Sequence, residues 1–368
     1  MTFDRNTPYN QLPLLPPDDD LIYTREVMLL LAKAHRSLGK LDGISKNLPN
    51  PLMLVNTISL QEAKSSSEIE NIFTTDDELY KAISTTDTAI SPAAKEVLRY
   101  RESLWTGIDL IKKNKHIDSD TIIKIYQNIK QTKTGIRSEH SNVRIIKGGK
   151  SITSGEVVYT PPKGDDLMNE LLKNYFAFIN NDEDYDIDPL LKMAIGHYQF
   201  EAIHPFSDGN GRTGRILNTL TLISKGLLSQ PILYLSKYII NNKDSYYHYL
   251  NGVSSRGDWE RWLKYMLVAV DETANYTIMK IEEITRQFED TRSHAEKYFP
   301  KLDLAVIEVI YTQPYIKAIH LLSSKIKSRN TARKYLDQLC DIQVLELRKI
   351  GNENVYINTD LVRILENT

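Results

Sequence analysis

The sequence predicts a mainly α fold that carries one β-hairpin and ends in a small winged-helix domain. Apolar residues recur at helical spacing along most of the chain, as in Val27, Leu30 and Leu31. Between 142 and 162 the pattern changes to two short β-like runs that are separated by a glycine turn and closed by prolines. After Pro300 the order becomes helix, short helix, helix, strand, turn, strand, which is typical of a winged helix.

Four helices are predicted before the hairpin. The first ends at Gly39, because glycine is a common C-cap, and a loop with Gly43, Pro49 and Pro51 follows. The predicted helices are 21–38, 52–71, 78–83 and 93–112.

Two helices flank a glycine-bearing loop after the hairpin. Asp188 is a predicted N-cap with Pro189 at the first helical position, and this helix ends near His204 because a residue before proline avoids helical geometry. The next helix stops at Gly226. The other predicted helices in this half are 165–179, 246–250, 259–292, 303–311, 317–323 and 330–339, and two strands flank a turn at 351–352.

The expected domains follow from these elements. Residues 1–90 form an N-terminal helical region, 91–295 a core with the hairpin 142–162 and the loop 204–215, and 300–368 the winged helix.

Composition excludes several classes of protein. A net charge of −2 argues against a surface that binds nucleic acid everywhere. Cys340 is the only cysteine, so neither an intrachain disulfide nor a cysteine metal cluster can form, which favours a reducing compartment. The N-terminus lacks a signal-peptide pattern, and no run reaches the roughly 20 apolar residues of a membrane span. We expect a cytoplasmic protein that does not contact a membrane.

The loop 204–215 contains residue types suited to phosphoryl-type transfer. Its glycines let backbone N–H groups converge on an anion at the N-terminus of the following helix. Asp208 can hold Mg²⁺ together with phosphate oxygens, Arg212 and Arg215 share a helix face, and His204 can accept a proton. Each feature alone is more often structural, but twelve consecutive positions that combine them favour function.

This loop resembles the Fic signature HPFxDGNGRxxR at every defined position. The resemblance implies a Fic-fold core and transfer of AMP from ATP, with Mg²⁺, to a Ser, Thr or Tyr hydroxyl of a protein. The hairpin resembles the family's target-docking flap.

Residue roles follow from the same resemblance. His204 would be the general base, Asp208 the Mg²⁺ ligand, and Phe206 the anchor of the loop. Gly209, Asn210 and Gly211 would form the anion hole, with Asn210 on the α-phosphate. Arg212 would support the β-phosphate and Arg215 the γ-phosphate; Thr213 and Gly214 complete the nucleotide-binding set.

An upstream segment resembles the family's inhibitory motif, (S/T)xxxE(G/N), over Ser66 to Asn71. The resemblance implies that Glu70 pairs with Arg215 and blocks the γ-phosphate position. Without the signature, the motif would be a solvated surface turn.

Other assignments are less specific. Tyr247 and Asn251, near Tyr246, are candidates for the nucleotide base pocket, although such aromatics are often core. His197 and Glu201 are expected to be hydrogen-bonded structural groups. A basic cluster on the predicted recognition helix 329–339 is a candidate DNA contact, and a homodimer is expected from the resemblance. The basic residues are Lys325, Lys327, Arg329, Arg333 and Lys334.

Two alternatives to AMP transfer remain. Glu70 could align water for AMP removal, alone or beside transfer, and the chain could be a nucleotide-sensing DNA-binding regulator.

Overall fold

The computed structural model of the protein describes residues 3–46, 52–84, 90–147, 156–323 and 325–366. Pro49 and Pro51 of the predicted loop, and the predicted hairpin turn, lie outside these ranges. The described α-helices are α1 Asp19–Ile22, α2 Arg25–Lys46, α3 Leu52–Ile69, α4 Asp76–Ser84, α5 Pro92–Asn114, α6 Ser119–Lys130, α7 Asp165–Asn180, α8 Pro189–Ile203, α9 Asn210–Ser224, α10 Leu235–Asn241, α11 Lys243–Arg256, α12 Trp259–Tyr298, α13 Leu304–Ile310, α14 Arg329–Asp341 and α15 Thr359–Glu366.

The described strands form two small antiparallel sheets, so the prediction of a mainly α fold is confirmed. The strands are β1 Ile145–Lys147, β2 Glu156–Tyr159, β3 Tyr315–Ile316, β4 Glu346–Ile350 and β5 Glu353–Ile357.

Helix α8 lies at the centre of the core. All its residues from Leu190 to Ile203 are buried, as expected of a helix that is apolar on every side. The indole N–H of Trp262 in α12 donates to the carbonyl of Ala194 at 2.9 Å. Helix α9 packs against α8, and α3 packs against α5 and α10. The rigid α8–α9 pair therefore positions the loop between them.

Both ends of α8 agree with the prediction. The Asp188 side chain accepts from the N–H of Leu190 and caps the helix, and Pro189 is its first residue. At the other end, His204 has φ 52° and ends the helix before Pro205.

The prediction that the first long helix ends at Gly39 is wrong. Helix α2 continues through Gly39 and Gly43 to Lys46 and packs along α12. Leu38 and Leu41 are fully buried on the face that meets the core. Because continued packing outweighs the modest helix cost of glycine, the helix does not stop.

Two helices of the core were not predicted. Helix α6 begins at Ser119, where the side chain of Asp118 accepts from the N–H of Thr121 at 2.8 Å. Helix α10 spans Leu235 to Asn241.

The C-terminal part has the predicted order with three differences. A short strand, β3, joins the sheet in the order β3-β5-β4, a 3₁₀ turn at Ala318–Leu321 replaces the predicted short helix, and α15 was not predicted. Helix α12 ends at Tyr298, beside the predicted boundary. Gln287 of α12 donates to Asp360 of α15 at 2.8 Å, so α12 supports this part. Within the described ranges, no helix is both long and apolar enough to cross a membrane.

Candidate functional site

His204 is held at the point where α8 ends. The residue adopts left-handed geometry with φ 52°, and its Nδ1 lies 3.3 Å from the carbonyl oxygen of Glu201. Burial lowers the pKa of His204 to about 4. The imidazole is therefore neutral at physiological pH, and with the Nδ1 proton directed at that carbonyl, Nε2 is the nitrogen available to accept a proton.

Phe206 and Asn210 close the loop on itself. The side-chain oxygen of Asn210 accepts from the N–H of Phe206, and its side-chain nitrogen donates to the Phe206 carbonyl, both at 2.8 Å. The Phe206 ring is fully buried and stacks on Tyr126 with centroids 4.1 Å apart. Phe206 lies where an anchor is predicted. The side-chain amide of Asn210 is thus hydrogen-bonded inside the loop through its oxygen and one N–H, and its backbone N–H lies at the helix terminus where the phosphate contact is predicted.

The N-terminus of α9 is the anion-binding part of the loop. Gly209 precedes it with φ 77°, a conformation that favours glycine. The first N–H groups of an α-helix have no partner inside the helix, and here they belong to Asn210, Gly211 and Arg212. These groups and the positive end of the helix dipole favour a bound phosphate.

Asp208 is an exposed carboxylate beside this helix terminus. One oxygen accepts from the N–H of Gly209 at 2.6 Å, and the other bonds Lys130 Nζ at 2.5 Å. Partial loss of water around the carboxyl raises its pKa. The hydrogen bond and the positive charge of Lys130 outweigh this effect and hold the pKa of Asp208 below its usual value. An ionised carboxylate next to a phosphate-binding terminus fits Mg²⁺, which takes one or two carboxylates plus phosphate oxygens.

Arg212 is buried and pairs with a carboxylate from another helix. Its Nη1 donates to Glu96 of α5 at 2.8 Å. Its Nε is buried and has no hydrogen-bond partner in the part of the chain that the structure describes. One donor of Arg212 therefore remains for an anion.

Arg215 is bound entirely by the segment that contains the predicted inhibitory motif. Its Nε donates to Ser66 Oγ and its Nη2 to the Ser66 carbonyl, both at 2.8 Å, and Nη2 also donates to Glu70 Oε1 at 2.7 Å. Burial alone would lower the pKa of Arg215, but the charge of Glu70 outweighs it and raises this pKa further above its ordinary value. The structure thus brings Ser66, Glu70 and Arg215 together.

Glu70 lies directly against the start of α9. A Cβ added to Gly211 would collide with Glu70 Oε1 and come within 3.0 Å of Arg215 Nη1, so glycine is required there while Glu70 is docked. Helix α3 ends at Ile69, and Glu70 lies in the turn that follows, before Asn71 with φ 61°, which asparagine tolerates. A carboxylate therefore occupies the place where the helix terminus favours an anion.

Thr213 and Gly214 make contacts within α9 and with α8, and their inclusion in the nucleotide-binding set stays a prediction. The hydroxyl of Thr213 donates to the Gly209 carbonyl at 3.0 Å within α9. A Cβ on Gly214 would lie 2.5 Å from Glu201 Oε1 and 3.2 Å from Phe200. Gly214 permits close packing of α9 on α8.

His197 and Glu201 are buried, as expected, but not fully hydrogen-bonded. His197 Nε2 lies 2.8 Å from the hydroxyl of Tyr246, whereas Nδ1 of His197 and Oε1 of Glu201 have no partner among the described residues. Burial raises the pKa of Glu201 to about 8 and lowers that of His197 to about 3. Both groups are therefore uncharged at neutral pH.

Tyr247 and Asn251 lie on α11, at the surface. Tyr247 is 40% exposed and packs edge-on against the buried Tyr246. Burial raises the pKa of Tyr247, and Glu70 adds to the shift, which places this phenol near the site. Asn251 is exposed, and its carbonyl accepts from Ser255. A cavity of about 680 Å³ lies elsewhere, between the N-terminal arm and the α11–α12 junction, and neither residue lines it.

Three charged residues at the site were not predicted from the sequence. Lys130 and Glu96 pair with loop residues, and Arg137 donates from Nε to the His204 carbonyl at 2.8 Å. A helix assignment for 119–130 would have placed Lys130 at a helix end, but no spacing in the sequence connects any of the three with the loop.

Comparison with known families accounts for three consecutive parts of the chain. Residues 28–109 match the model described as Fic/DOC family N-terminal, and 116–222 match Fic/DOC family. Residues 287–361 match Protein adenylyltransferase SoFic-like, C-terminal domain. The chain belongs to the Fic/DOC family. The Fic/DOC match at 116–222 contains the whole loop 204–215.

Curated relatives match about half of this Fic protein. Protein adenylyltransferase Fic of Drosophila mojavensis is 26% identical over 203 residues, 55% of this chain and 38% of the relative. The protein of the same name from Aedes aegypti is 27% identical over 184 residues, 49% of this chain and 33% of the relative. The Fic chain thus spans less than two-fifths of the length of either relative.

Solved structures share the fold at low identity. A Fic family protein from Desulfovibrio desulfuricans has a TM-score of 0.59 at 19% identity and covers 93% of this chain and 98% of its own. Fic-1 from C. elegans has a TM-score of 0.51 at 20% identity, over 68% of this chain and 72% of its own. The Fic fold is confirmed.

Proposed function

We propose that this Fic protein is a protein adenylyltransferase that transfers AMP from ATP to a hydroxyl side chain and is restrained by Glu70. The observation that carries the proposal is the position of the Glu70 carboxylate, on Gly211 and bonded to Arg215, at the helix terminus that follows His204. A general base and an anion site that is already filled by an internal anion support regulated phosphoryl-type transfer. The curated relatives, named protein adenylyltransferase, support the AMP group.

The residues of this chain supply base catalysis and binding. Neutral His204 accepts the target hydroxyl proton at Nε2 while the hydroxyl oxygen bonds to the α-phosphorus. The bond between that phosphorus and the bridging oxygen to the β-phosphate breaks, and pyrophosphate leaves. The N–H groups of Asn210 and Gly211 and the free Nε of Arg212 bind phosphate oxygens and stabilise charge that develops on them.

Asp208 is the residue that would hold Mg²⁺, with Lys130 giving up its contact. When bound, the ion would neutralise phosphate charge during transfer. ATP and Mg²⁺ are the proposed substrate and cofactor, and the single cysteine supports the expectation of a cytoplasmic protein.

Glu70 restrains transfer because a γ-phosphate and a carboxylate would compete for Arg215. Within the described ranges, the hydrogen bonds of Arg215 go to Ser66 and Glu70, so a triphosphate would displace Glu70 to reach this guanidinium. The resemblance to the inhibitory motif supports the same conclusion, and homodimers that tune such inhibition remain part of the proposal.

One observation favours AMP removal as a second activity. Among the residues that the structure describes, Glu70 is hydrogen-bonded to Arg215 through Oε1 alone, and its side chain is 33% exposed. The second oxygen is thus able to orient a water molecule.

The basic cluster favours a polyanion as a further partner. Arg329, Arg333 and Lys334 are exposed on α14, whose Leu336 and Leu339 are buried. DNA is the candidate, and loss of binding with rising salt would distinguish phosphate contacts from apolar docking.

The test is incubation with Mg²⁺ and ATP that is labelled at the α- or the γ-phosphate. We expect α-label on Glu70→Gly, less on the wild type, and at least about 100-fold less when His204→Ala is added, since base catalysis contributes about 10²- to 10⁴-fold. ATP binding should persist in the His204→Ala variant. Label from the γ-phosphate would indicate phosphoryl transfer instead, and no label on any variant would contradict AMP transfer. Release of AMP from labelled protein that depends on Glu70 would establish removal.

A further inference from the structure

The carbonyl groups at the end of α8 are hydrogen-bonded from outside the helix. The last four carbonyls of an α-helix have no partner within it. Here they belong to Glu201, Ala202, Ile203 and the C-cap His204. The first accepts from the His204 ring, which leaves three that need donors from elsewhere.

Arg137 donates hydrogen bonds to two of these carbonyls, those of Ile203 and His204, and to the carbonyl of the following residue, Pro205. Its Nε donates to the His204 carbonyl at 2.8 Å, and its Nη2 donates to the carbonyls of Ile203 at 3.2 Å and Pro162 at 2.6 Å. Its own N–H donates to the Pro205 carbonyl at 2.8 Å. Arg137 is only 8% exposed. One buried residue therefore holds three consecutive carbonyls around the candidate base.

The remaining carbonyl is bound by the hairpin. The hydroxyl of Tyr159, the last residue of β2, donates to the Ala202 carbonyl at 3.0 Å, and this side chain is 7% exposed. Pro162 lies just beyond β2 and also binds Arg137. The segment 156–162 thus reaches the end of α8 at two points, directly through Tyr159 and through the guanidinium.

These bonds matter because His204 has an unfavourable backbone conformation. A left-handed φ is strained for a residue other than glycine and persists only where its surroundings determine it. The direction of the imidazole follows from that backbone. The positive charge of Arg137 also complements the negative end of the α8 dipole.

We propose that Arg137 and Tyr159 form a carbonyl clamp that positions His204 and couples its orientation to the segment 156–162. The inference rests on the proposed function, in which His204 accepts the proton of a protein target that docks on the hairpin. Arg137 and Tyr159 are positioning residues, since they act on His204 through its backbone.

The charges around His204 give the clamp a measurable signature. Burial is the main cause that lowers its pKa to about 4, and the charge of Arg137 lowers it further, while Glu70 and Asp208 raise it. Replacing Arg137 with a neutral residue therefore raises the pKa of His204. Because the base must be neutral, the acid limb of the transfer rate then moves to higher pH.

The kinetic test uses Glu70→Gly as the parent. We expect Arg137→Gln to lower kcat on the order of 100-fold, the usual effect of a misplaced catalytic group, with KM for ATP changed less than about twofold. Arg137→Lys keeps the charge and leaves the acid limb in place. Tyr159→Phe loses one hydrogen bond and about fivefold in kcat. Controls are the exposed Arg286→Gln and Tyr298→Phe.

A second measurement is independent of transfer. NMR titration of ¹³C-labelled histidine, with His204 assigned by His204→Gln, should show its pKa higher in Arg137→Gln than in the parent. Amide exchange should accelerate at 203–209 and 156–162 and be unchanged in α9. If the parent transfers no AMP, the proposed function fails, and these two readouts still decide on the clamp. An unchanged His204 pKa, an unchanged kcat, or exchange that rises throughout the protein would overturn the clamp.

Discussion

Arg212 and Arg215 lie on one face of α9 and are each 2% exposed, yet the carboxylates that pair with them differ in setting. Glu96 lies within α5, where its neighbours Ala94 and Val97 are buried. Glu70 lies just after α3 ends at Ile69, in a turn that continues into exposed loop residues. Segments at helix ends open locally more easily than the interiors of packed helices. The two ion pairs are therefore a fixed one and a releasable one.

The hydrogen bonds that the two arginines donate also differ. Among the residues that the structure describes, Arg215 donates three hydrogen bonds, all to the segment of Ser66 and Glu70. Arg212 donates one there, to Glu96, and its Nε has no partner in the same set. An arriving phosphate can bind Arg212 without breaking a contact, but it must replace Glu70 at Arg215. We therefore propose that Arg212 contributes to phosphate binding and that Arg215 is the point at which Glu70 restrains transfer.

Replacing each glutamate by its neutral isostere tests this difference most strongly. Glu70→Gln should raise AMP transfer by about 5- to 150-fold, the usual range for coupling between two sites, because the competing charge is removed. Glu96→Gln should not raise transfer, because Arg212 then loses its partner without opening the site. Initial rates with α-labelled ATP at matched protein concentration measure both. Equal activation by the two variants would contradict the distinction.

Two glycines of α9 provide the next contrast. Gly214→Ala forces a Cβ against Glu201 and Phe200 in the α8–α9 contact and should destabilise the protein by about 1–3 kcal/mol. Gly211→Ala meets only the releasable pair, Glu70 and Arg215. The destabilisation by Gly211→Ala should disappear in the Glu70→Gly background, because the colliding carboxylate is absent. Alanine then stabilises the helix by up to about 1 kcal/mol relative to glycine.

Urea unfolding of the wild type, the three single variants and the two double variants with Glu70→Gly measures this as two double-mutant cycles. We expect coupling between positions 211 and 70 and none between 214 and 70. If Gly211→Ala costs the same with and without Glu70, the carboxylate does not dock on Gly211.

The sequence predicted those parts of the site that are contiguous in the chain. His204, Asp208 and the two arginines lie within one loop, so their types and spacing were informative. The pairing of Glu70 with Arg215 came only from the family resemblance. Glu96, Lys130 and Arg137 were not predicted, because each reaches the loop through tertiary packing that leaves no periodic signal.

Errors in the fold have the same physical origin. Gly39 has the residue type of a C-cap, but burial of Leu38 and Leu41 against the core decides that α2 continues. Gly214 lies at an undefined position of the signature, and the structure shows that its lack of a side chain lets α9 approach Glu201. Residue type indicates what a position permits, and packing decides which option is used.

Glu201 is a buried carboxyl near this site, and unlike Glu70 and Glu96 it forms no ion pair with the described residues. Burial raises its pKa from 4.5 to about 8, so the folded protein holds this proton more tightly than the unfolded chain does. The stability it contributes is complete below pH 4.5 and is lost as pH rises through about 8. Arg215 opposes the shift and Glu70 adds to it.

Glu201→Gln should therefore gain thermal stability relative to the wild type as the pH rises from 4.5 to above 8. The other titrating groups, including His197, are common to both proteins and cancel in the difference. Scanning calorimetry across this range measures the gap in Tm. A gap that does not change with pH would show that Glu201 is already ionised in the folded protein.

The smallest effect is expected for ATP affinity after substitutions on α11, beside the Glu70–Arg215 pair. Tyr247 is 40% exposed, and the charges of Glu70 and Arg215 act on its pKa, which places it near them. Asn251 is exposed one turn further along α11. In Glu70→Gly, Tyr247→Ala should weaken ATP binding several-fold, since stacking of a base on an aromatic ring contributes about 1–3 kcal/mol. Asn251→Ala should weaken it less, and the exposed Tyr298→Ala serves as the control. Calorimetric titration with ATP measures all three; equal affinity in the Tyr247 and Tyr298 variants would remove Tyr247 from the base pocket.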